Sequence, residues 1–303
     1  MLDVALLGTG GMMPLPERFL TSLLLRLNGK MLLIDCGECT QVTLKKLGWG
    51  FKSIDAICFT HYHADHISGL PGMLLTIGNS GREEPLFLIG PKGLKEVYRG
   101  LSVIAPELPF EVRILEFDNS IGNTIEVSNF HLTTCRAEHM ISCAAYSVKV
   151  HRIGKFNVDK AKALGLPKNL WSVIQKQGEV VYEGSVYTSD MVLGDERKGI
   201  KLTYCTDSRP TKAICELAQG SDLFICEGMY GENEKLDKAK EHRHMIFAEA
   251  AKLARDSGSR ELWLTHYSPA LVDPQFFIEN ARSIFPNTIA AHDRQTVTLL
   301  FDE

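Results

Sequence analysis

The chain lacks any apolar run of the ~20 residues that a membrane-spanning helix requires. Its opening, Met1-Leu2-Asp3-Val4-Ala5-Leu6-Leu7, carries no basic stretch and too short an apolar one for a secretory signal. The expectation is a cytoplasmic protein with no membrane partner. Low-complexity segments and short-period repeats are also missing. No second Cys-x-x-Cys pair joins Cys36-Gly37-Glu38-Cys39, so a turn with two small residues suits that stretch better than zinc or redox chemistry. The eight cysteines lie mostly in strand-like runs such as Ile57-Cys58-Phe59 and Phe224-Ile225-Cys226, as buried thiols in a reducing compartment would. Gly8-Thr9-Gly10-Gly11 has no third glycine of a dinucleotide fingerprint, and Pro14 and Pro16 block the helix that should follow.

An excess of positive charge is absent too. Lys and Arg number 33 against 37 Asp and Glu, a net charge of −4, which taken alone argues against nucleic-acid binding. The distribution is uneven, however. Residues 151–176 hold Arg152, Lys155, Lys160, Lys162, Lys168 and Lys176 against Asp159 alone, a local +5 that leaves −9 elsewhere. A basic stretch on an acidic body can meet a polyanion at one place, although a solvated helix face has the same composition.

With 303 residues the chain can bury a large core. Residues 3–7 read as a strand, and Asn28-Gly29 reads as the turn of a hairpin between 22–27 and 31–34. A helix is expected from Glu38 to Leu47, stopped by Gly48. Strands follow at 57–60, 86–89, 112–117, 124–127, 130–134 and 145–150. Residues 153–200 break the pattern and read as an insertion. Beyond them come strand 201–205, helix 211–219, strand 222–226, helix 245–256, strand 261–265, helix 274–283 and strands 288–291 and 295–301. Periodicity thus gives an α/β protein with sheets covered by helices.

His61-Tyr62-His63-Ala64-Asp65-His66 follows the apolar run Ile57-Cys58-Phe59-Thr60. In extended chain His61, His63 and Asp65 share one face, and His66 approaches from another side as the chain turns. Four metal-competent side chains in six residues exceed what one closed tetrahedral site normally takes. They suit two metals with open positions for water. His61, Asp207, Glu227 and His266 each fall one or two residues past a predicted strand end, where open α/β sheets gather their sites. His61, His63 and His139 can hold one metal, Asp65, His66 and His266 the other, and Asp207 can bridge. Imidazole and carboxylate without thiolate suit zinc, with manganese or iron also compatible. Asp65 can bind metal and accept a water's proton.

His-x-His-x-Asp-His resembles the signature of the metallo-β-lactamase fold, and the chain from Leu6 to about Asp293 resembles the ribonuclease Z branch of that superfamily. The resemblance implies a four-layer αββα sandwich, one domain over residues 1–303 with a substrate arm inserted at 153–200. It implies the same seven metal ligands and two zinc ions. It points to His244 in Glu241-His242-Arg243-His244 as the group that contacts the scissile phosphate, oriented by Glu227. It further implies a precursor tRNA substrate and a homodimer. Arg18, Lys168 and Lys176 are the substrate-binding candidates. The sequence departs from the family where Pro-x-Lys-x-Arg-Asn is common: Pro14-Leu15-Pro16-Glu17-Arg18-Phe19 keeps the arginine and loses the lysine and asparagine. In the arm, Asn169-Leu170 stand where Gly-Pro is expected, while Lys176 and Gly178 match. After His244 come Met245 and Ile246 in place of small polar residues. The expected function is a dinuclear endoribonuclease that removes the 3′ trailer of precursor tRNA. The alternatives are a hydrolase of a small phosphodiester or other ester on the same fold, and a metal-bearing RNA-binding protein without catalysis.

Overall fold

Asn28 (φ 51°) and Gly29 (φ 78°) both sit in the left-handed region, the geometry of a two-residue type I′ turn. The turn pairs Ser22–Leu27 with Lys30–Ile34 in antiparallel register, Leu27 against Lys30. The computed structural model describes residues 1–302, and this hairpin sits near the middle of its first sheet. In spatial order that sheet runs Gln295–Leu299, Leu2–Gly8, Ser22–Leu27, Lys30–Ile34, Ile54–Cys58, Leu86–Pro91 and Val112–Phe117. The first four strands are antiparallel to their neighbours; from Lys30–Ile34 onward the pairing is parallel. The second sheet runs Thr288–Ala290, Leu262–Thr265, Leu223–Glu227, Arg197–Cys205, Cys143–Arg152, Phe130–Ala137 and Thr124–Val127.

Central strands of both sheets are buried on both faces, as strands covered on each side must be. Ala5, Leu7, Ile57 and Phe59 pack with Leu70, Met73, Leu74 and Ile77 of the helix Leu70–Asn79. Phe224, Cys226, Leu262 and Leu264 pack with Phe247, Ala250, Ala251 and Ala254 of the helix Phe247–Asp256. The opposite faces meet between the sheets. There Tyr146 donates to the Phe59 carbonyl at 2.7 Å and sets its ring edge-on to Phe117. The layers are helix, sheet, sheet, helix, the αββα sandwich.

The chain divides into two compact units, Met1–Val150 with Lys201–Leu300, and His151–Ile200 with Phe301 and Asp302. Both large sheets belong to the first. The second has its own small core of Ala161, Leu166, Ile174 and Val192. The helices Val158–Ala163 and Lys168–Gln177 and the hairpin Glu179–Tyr182/Ser185–Thr188 surround it.

Several local expectations are corrected. Ala64–Ile67 is a helical turn, so Asp65 does not continue the face shared by His61 and His63. Glu227 is the last residue of its strand and does not lie past the end. The helix expected at 274–283 is a 3₁₀ turn, Pro274–Phe277, followed by one α-helical turn, Glu279–Arg282. Helices at Leu94–Leu101 and Leu236–His242 were not anticipated.

Candidate metal centre

Asp35, Asp207 and His266 each follow a strand that ends within two residues, and each has a positive φ: 61°, 46° and 56°. Non-glycine residues rarely adopt this conformation, and each instance costs on the order of 1–3 kcal/mol. Here it turns the side chain back across the strand ends. His61 and His63 reach the same place from the loop after Ile54–Cys58, Asp65 and His66 from the helical turn that follows, and His139 from just beyond Phe130–Ala137.

The donors form two groups. His61 Nε2 lies 3.0 Å from His63 Nδ1, which lies 3.2 Å from His139 Nε2. His66 Nε2 lies 3.2 Å from His266 Nε2, and Asp65 Oδ2 is 3.6 Å and 3.4 Å from these two nitrogens. Asp207 faces both groups. Its Oδ2 is 3.8 Å from His61 Nε2 and 3.6 Å from His139 Nε2, and its Oδ1 is 3.1 Å from both His66 Nε2 and His266 Nε2. The structure thus brings together all seven candidate ligands.

These donors fit divalent cations. Burial, with the charge of His66, lowers the His61 pKa, and burial lowers those of His63 and His139, which favours neutral imidazoles. Burial opposes ionisation of Asp207 and Asp65, but the surrounding histidines hold both carboxyls well below the usual range. Neutral imidazole and ionised carboxylate are the states that a metal binds. Burial also works against a charge on His66, yet Asp207, Asp35 and Asp65 raise its pKa well above the ordinary value. That corner of the cluster therefore favours positive charge. Asp207 Oδ1 is buried without a well-aligned hydrogen-bond donor, an orphaned acceptor that a cation would satisfy.

Asp35 and Thr60, both fully buried, hold the cluster from behind. Asp35 Oδ2 accepts from His66 Nδ1 at 2.9 Å, which leaves Nε2 directed into the centre. Thr60 Oγ1 donates to the same Asp35 oxygen at 2.9 Å and can accept from His61 Nδ1 at 3.0 Å. Neither Asp35 nor the Thr60 hydroxyl carries a sequence signal that announces this supporting role. Gly37 permits the close approach, since a Cβ there would stand 2.4 Å from the Asp65 carbonyl oxygen.

His244 lies beside the cluster, within ligand range of Asp207 and His266. Its Nδ1 lies 3.1 Å from Glu227 Oε2. Glu227 is fully buried and also accepts from the Ser208 and Met245 amides at 2.5 Å and 3.1 Å. Burial alone would lower the His244 pKa; the charge and hydrogen bond of Glu227 overcome it and raise the pKa to about 9. Arg209 pairs with Glu249 and donates to the His244 carbonyl, fixing this segment, a role with no sequence signal of its own. Met245 and Ile246 are buried core residues.

The substrate candidates are not among the residues that line the metal cleft. The Arg18 guanidinium is engaged by carbonyls of the 268–272 loop, at 2.7 Å from Leu271 and Val272, and lines a pocket other than the metal cleft. Lys168 and Lys176 are exposed, at the start and in the last turn of Lys168–Gln177 in the second unit.

A ribonuclease Z of Lachnospira eligens is 57% identical over 303 residues, covering 100% of this chain and 99% of that protein. A ribonuclease Z of Lachnoclostridium phytofermentans is 55% identical with the same coverage. The chain belongs to the ribonuclease Z family. Residues 2–176 also match the model of the family described as "Anti-Pycsar protein Apyc1", to which the chain likewise belongs. That match contains His61, His63, Asp65, His66 and His139 but stops short of Asp207, Glu227, His244 and His266, which the ribonuclease Z relatives span. Among solved structures, the metallo-β-lactamase fold protein YhfI from Bacillus subtilis superposes with a TM-score of 0.71 at 18% identity, covering 98% of this chain and 100% of that one. The short form of human tRNase Z does so with a TM-score of 0.69 at 24% identity, covering 99% and 100%. These likenesses show the metallo-β-lactamase fold.

Asp35→Asn should loosen metal binding about 10–100-fold, the usual cost of losing a carboxylate behind a histidine ligand. Competition against a chromogenic chelator measures it, and an unchanged affinity would show that Asp35 serves the fold alone.

Proposed function

We propose that the chain is a metal-dependent endoribonuclease that hydrolyses the phosphodiester between a precursor tRNA and its 3′ trailer. The observation that carries this reading is the full-length 57% identity to a ribonuclease Z, joined to an Asp207 carboxylate that faces two separate donor groups. We assign one ion to His61, His63 and His139, a second to Asp65, His66 and His266, and Asp207 to both. Zinc is our first choice from the donor types, with manganese or iron as alternatives. Bound there, such ions acidify water and neutralise charge on a phosphoryl group.

The remaining steps belong to side chains. Asp65 Oδ2, held by the Met12 amide at 2.7 Å, is assigned as the acceptor of the attacking water's proton. His244, protonated at neutral pH through Glu227, is assigned as the donor to the departing oxygen. Lys168 and Lys176 are proposed to contact tRNA phosphates, within a single domain whose basic arm spans 153–200. A cytoplasmic homodimer completes the reading, as the family resemblance implies.

The test is to incubate purified protein with a 3′-extended precursor tRNA and with a chromogenic phosphodiester, alongside elemental analysis. Cleavage at the 3′ end of the tRNA and two metals per chain are expected. Turnover of the diester alone would favour a small-phosphodiester hydrolase, and metal without turnover of either would favour a binding protein. Lys168→Ala with Lys176→Ala should raise KM for the tRNA and flatten the slope of log affinity against log salt by about two. An unchanged slope would remove both lysines from the RNA contact. In Glu227→Gln the carboxylate that raises the His244 pKa is gone, so the imidazolium loses its proton at lower pH. The alkaline limb of kcat should then move down by about one unit or more. A limb that stays in place would exclude His244 as the acid.

A further inference from the structure

The metal cluster lies in a cleft of about 550 Å³ whose lining is partly apolar and also includes the exposed Lys238, Glu241 and His242. Four of the nine methionines in the sequence line it: Met12, Met13, Met140 and Met229. Met229 is buried, but Met12, Met13 and Met140 are 67%, 55% and 63% exposed. Single exposed apolar side chains need no explanation, whereas several gathered at the opening of a polar site do. Their backbone is not free to withdraw them. Met12 sits at φ 68°, a conformation rare for a long side chain, and its amide donates to Asp65 Oδ2 at 2.7 Å. Gly11, just before it, passes so close to His266 that a Cβ would stand 2.7 Å from the ring. Met140 directly follows His139. The rim is therefore tied to the residues of the centre.

A thioether on a flexible, unbranched chain makes favourable contact with an aromatic face and offers no strong directed hydrogen bond. Every nucleobase has such a face. In a nuclease, the groups next to the scissile phosphate are its two flanking nucleotides, and the rim is continuous with the centre that would hold that phosphate. Resting on the function proposed above, we propose that Met12, Met13 and Met140 form the subsite for the bases flanking the scissile phosphate. They grip the bases through apolar contact and offer base edges no strong directed hydrogen bond.

The experiment compares a 3′-extended precursor tRNA with the same RNA carrying abasic residues on both sides of the cut. Wild-type protein should show a KM about tenfold higher on the abasic substrate, the combined worth of a few thioether–ring contacts. In the Met12→Gln, Met13→Gln, Met140→Gln variant, with metal content equal to wild type by elemental analysis, the ratio of the two KM values should fall to near one. The corresponding triple Leu variant should keep most of it. Should the triple Gln variant not fold, Met140→Gln alone should lower the ratio. A wild type indifferent to the missing bases, or a ratio unchanged by the Gln substitutions, overturns the subsite while leaving the nuclease reading intact. No cleavage of the intact RNA by wild type overturns the nuclease reading, and the subsite with it.

Discussion

Everything at the active end of this molecule depends on one carboxylate being shared. Asp207 presents one oxygen to His61 and His139 and the other to His66 and His266. Such a crowd of imidazoles and carboxylates in a buried place is costly unless positive charge is supplied between them. The fold accepts further cost to build it, in the left-handed backbone of Asp35, Asp207 and His266. What offsets that cost is the sandwich behind, with strands buried on both faces and Tyr146 joining the two sheets.

Much of this was legible in the residues because burial leaves a pattern. Alternating and continuous apolar runs located nearly every strand of both sheets, and Asn28-Gly29 located the hairpin turn. Helix Leu236–His242 was not legible for the converse reason: only Ala239 is buried in it, so it carries no apolar stripe. Helix Leu94–Leu101 did carry one, since Leu94, Val97, Tyr98 and Leu101 pack on the core at helical spacing. Extended-chain geometry misplaced Asp65 because a helical turn begins one residue before it.

At the site, the ligand residue types and their places after strands were enough to assemble the donor set, because metal chemistry admits few side chains. The supporting residues are harder to see. Thr60 matters only through a hydroxyl placed between Asp35 and His61, and Arg209 only through Glu249 and the His244 carbonyl. These are long-range contacts with no local spacing to announce them. The contacts of Arg18 are equally silent in the sequence: a family motif marks the residue, and its guanidinium is engaged by the 268–272 loop.

The order of the parts along the chain has a consequence for the protein while it is being made. His61, His63, Asp65, His66 and His139 precede the insertion, whereas Asp207 and His266 follow it. The edge strand Gln295–Leu299, which pairs with the very first strand, comes later still, and Asp293 accepts from the Thr9 and Phe19 amides. A chain emerging from the ribosome therefore carries an incomplete donor set until the residues beyond the insertion, as far as His266, are out.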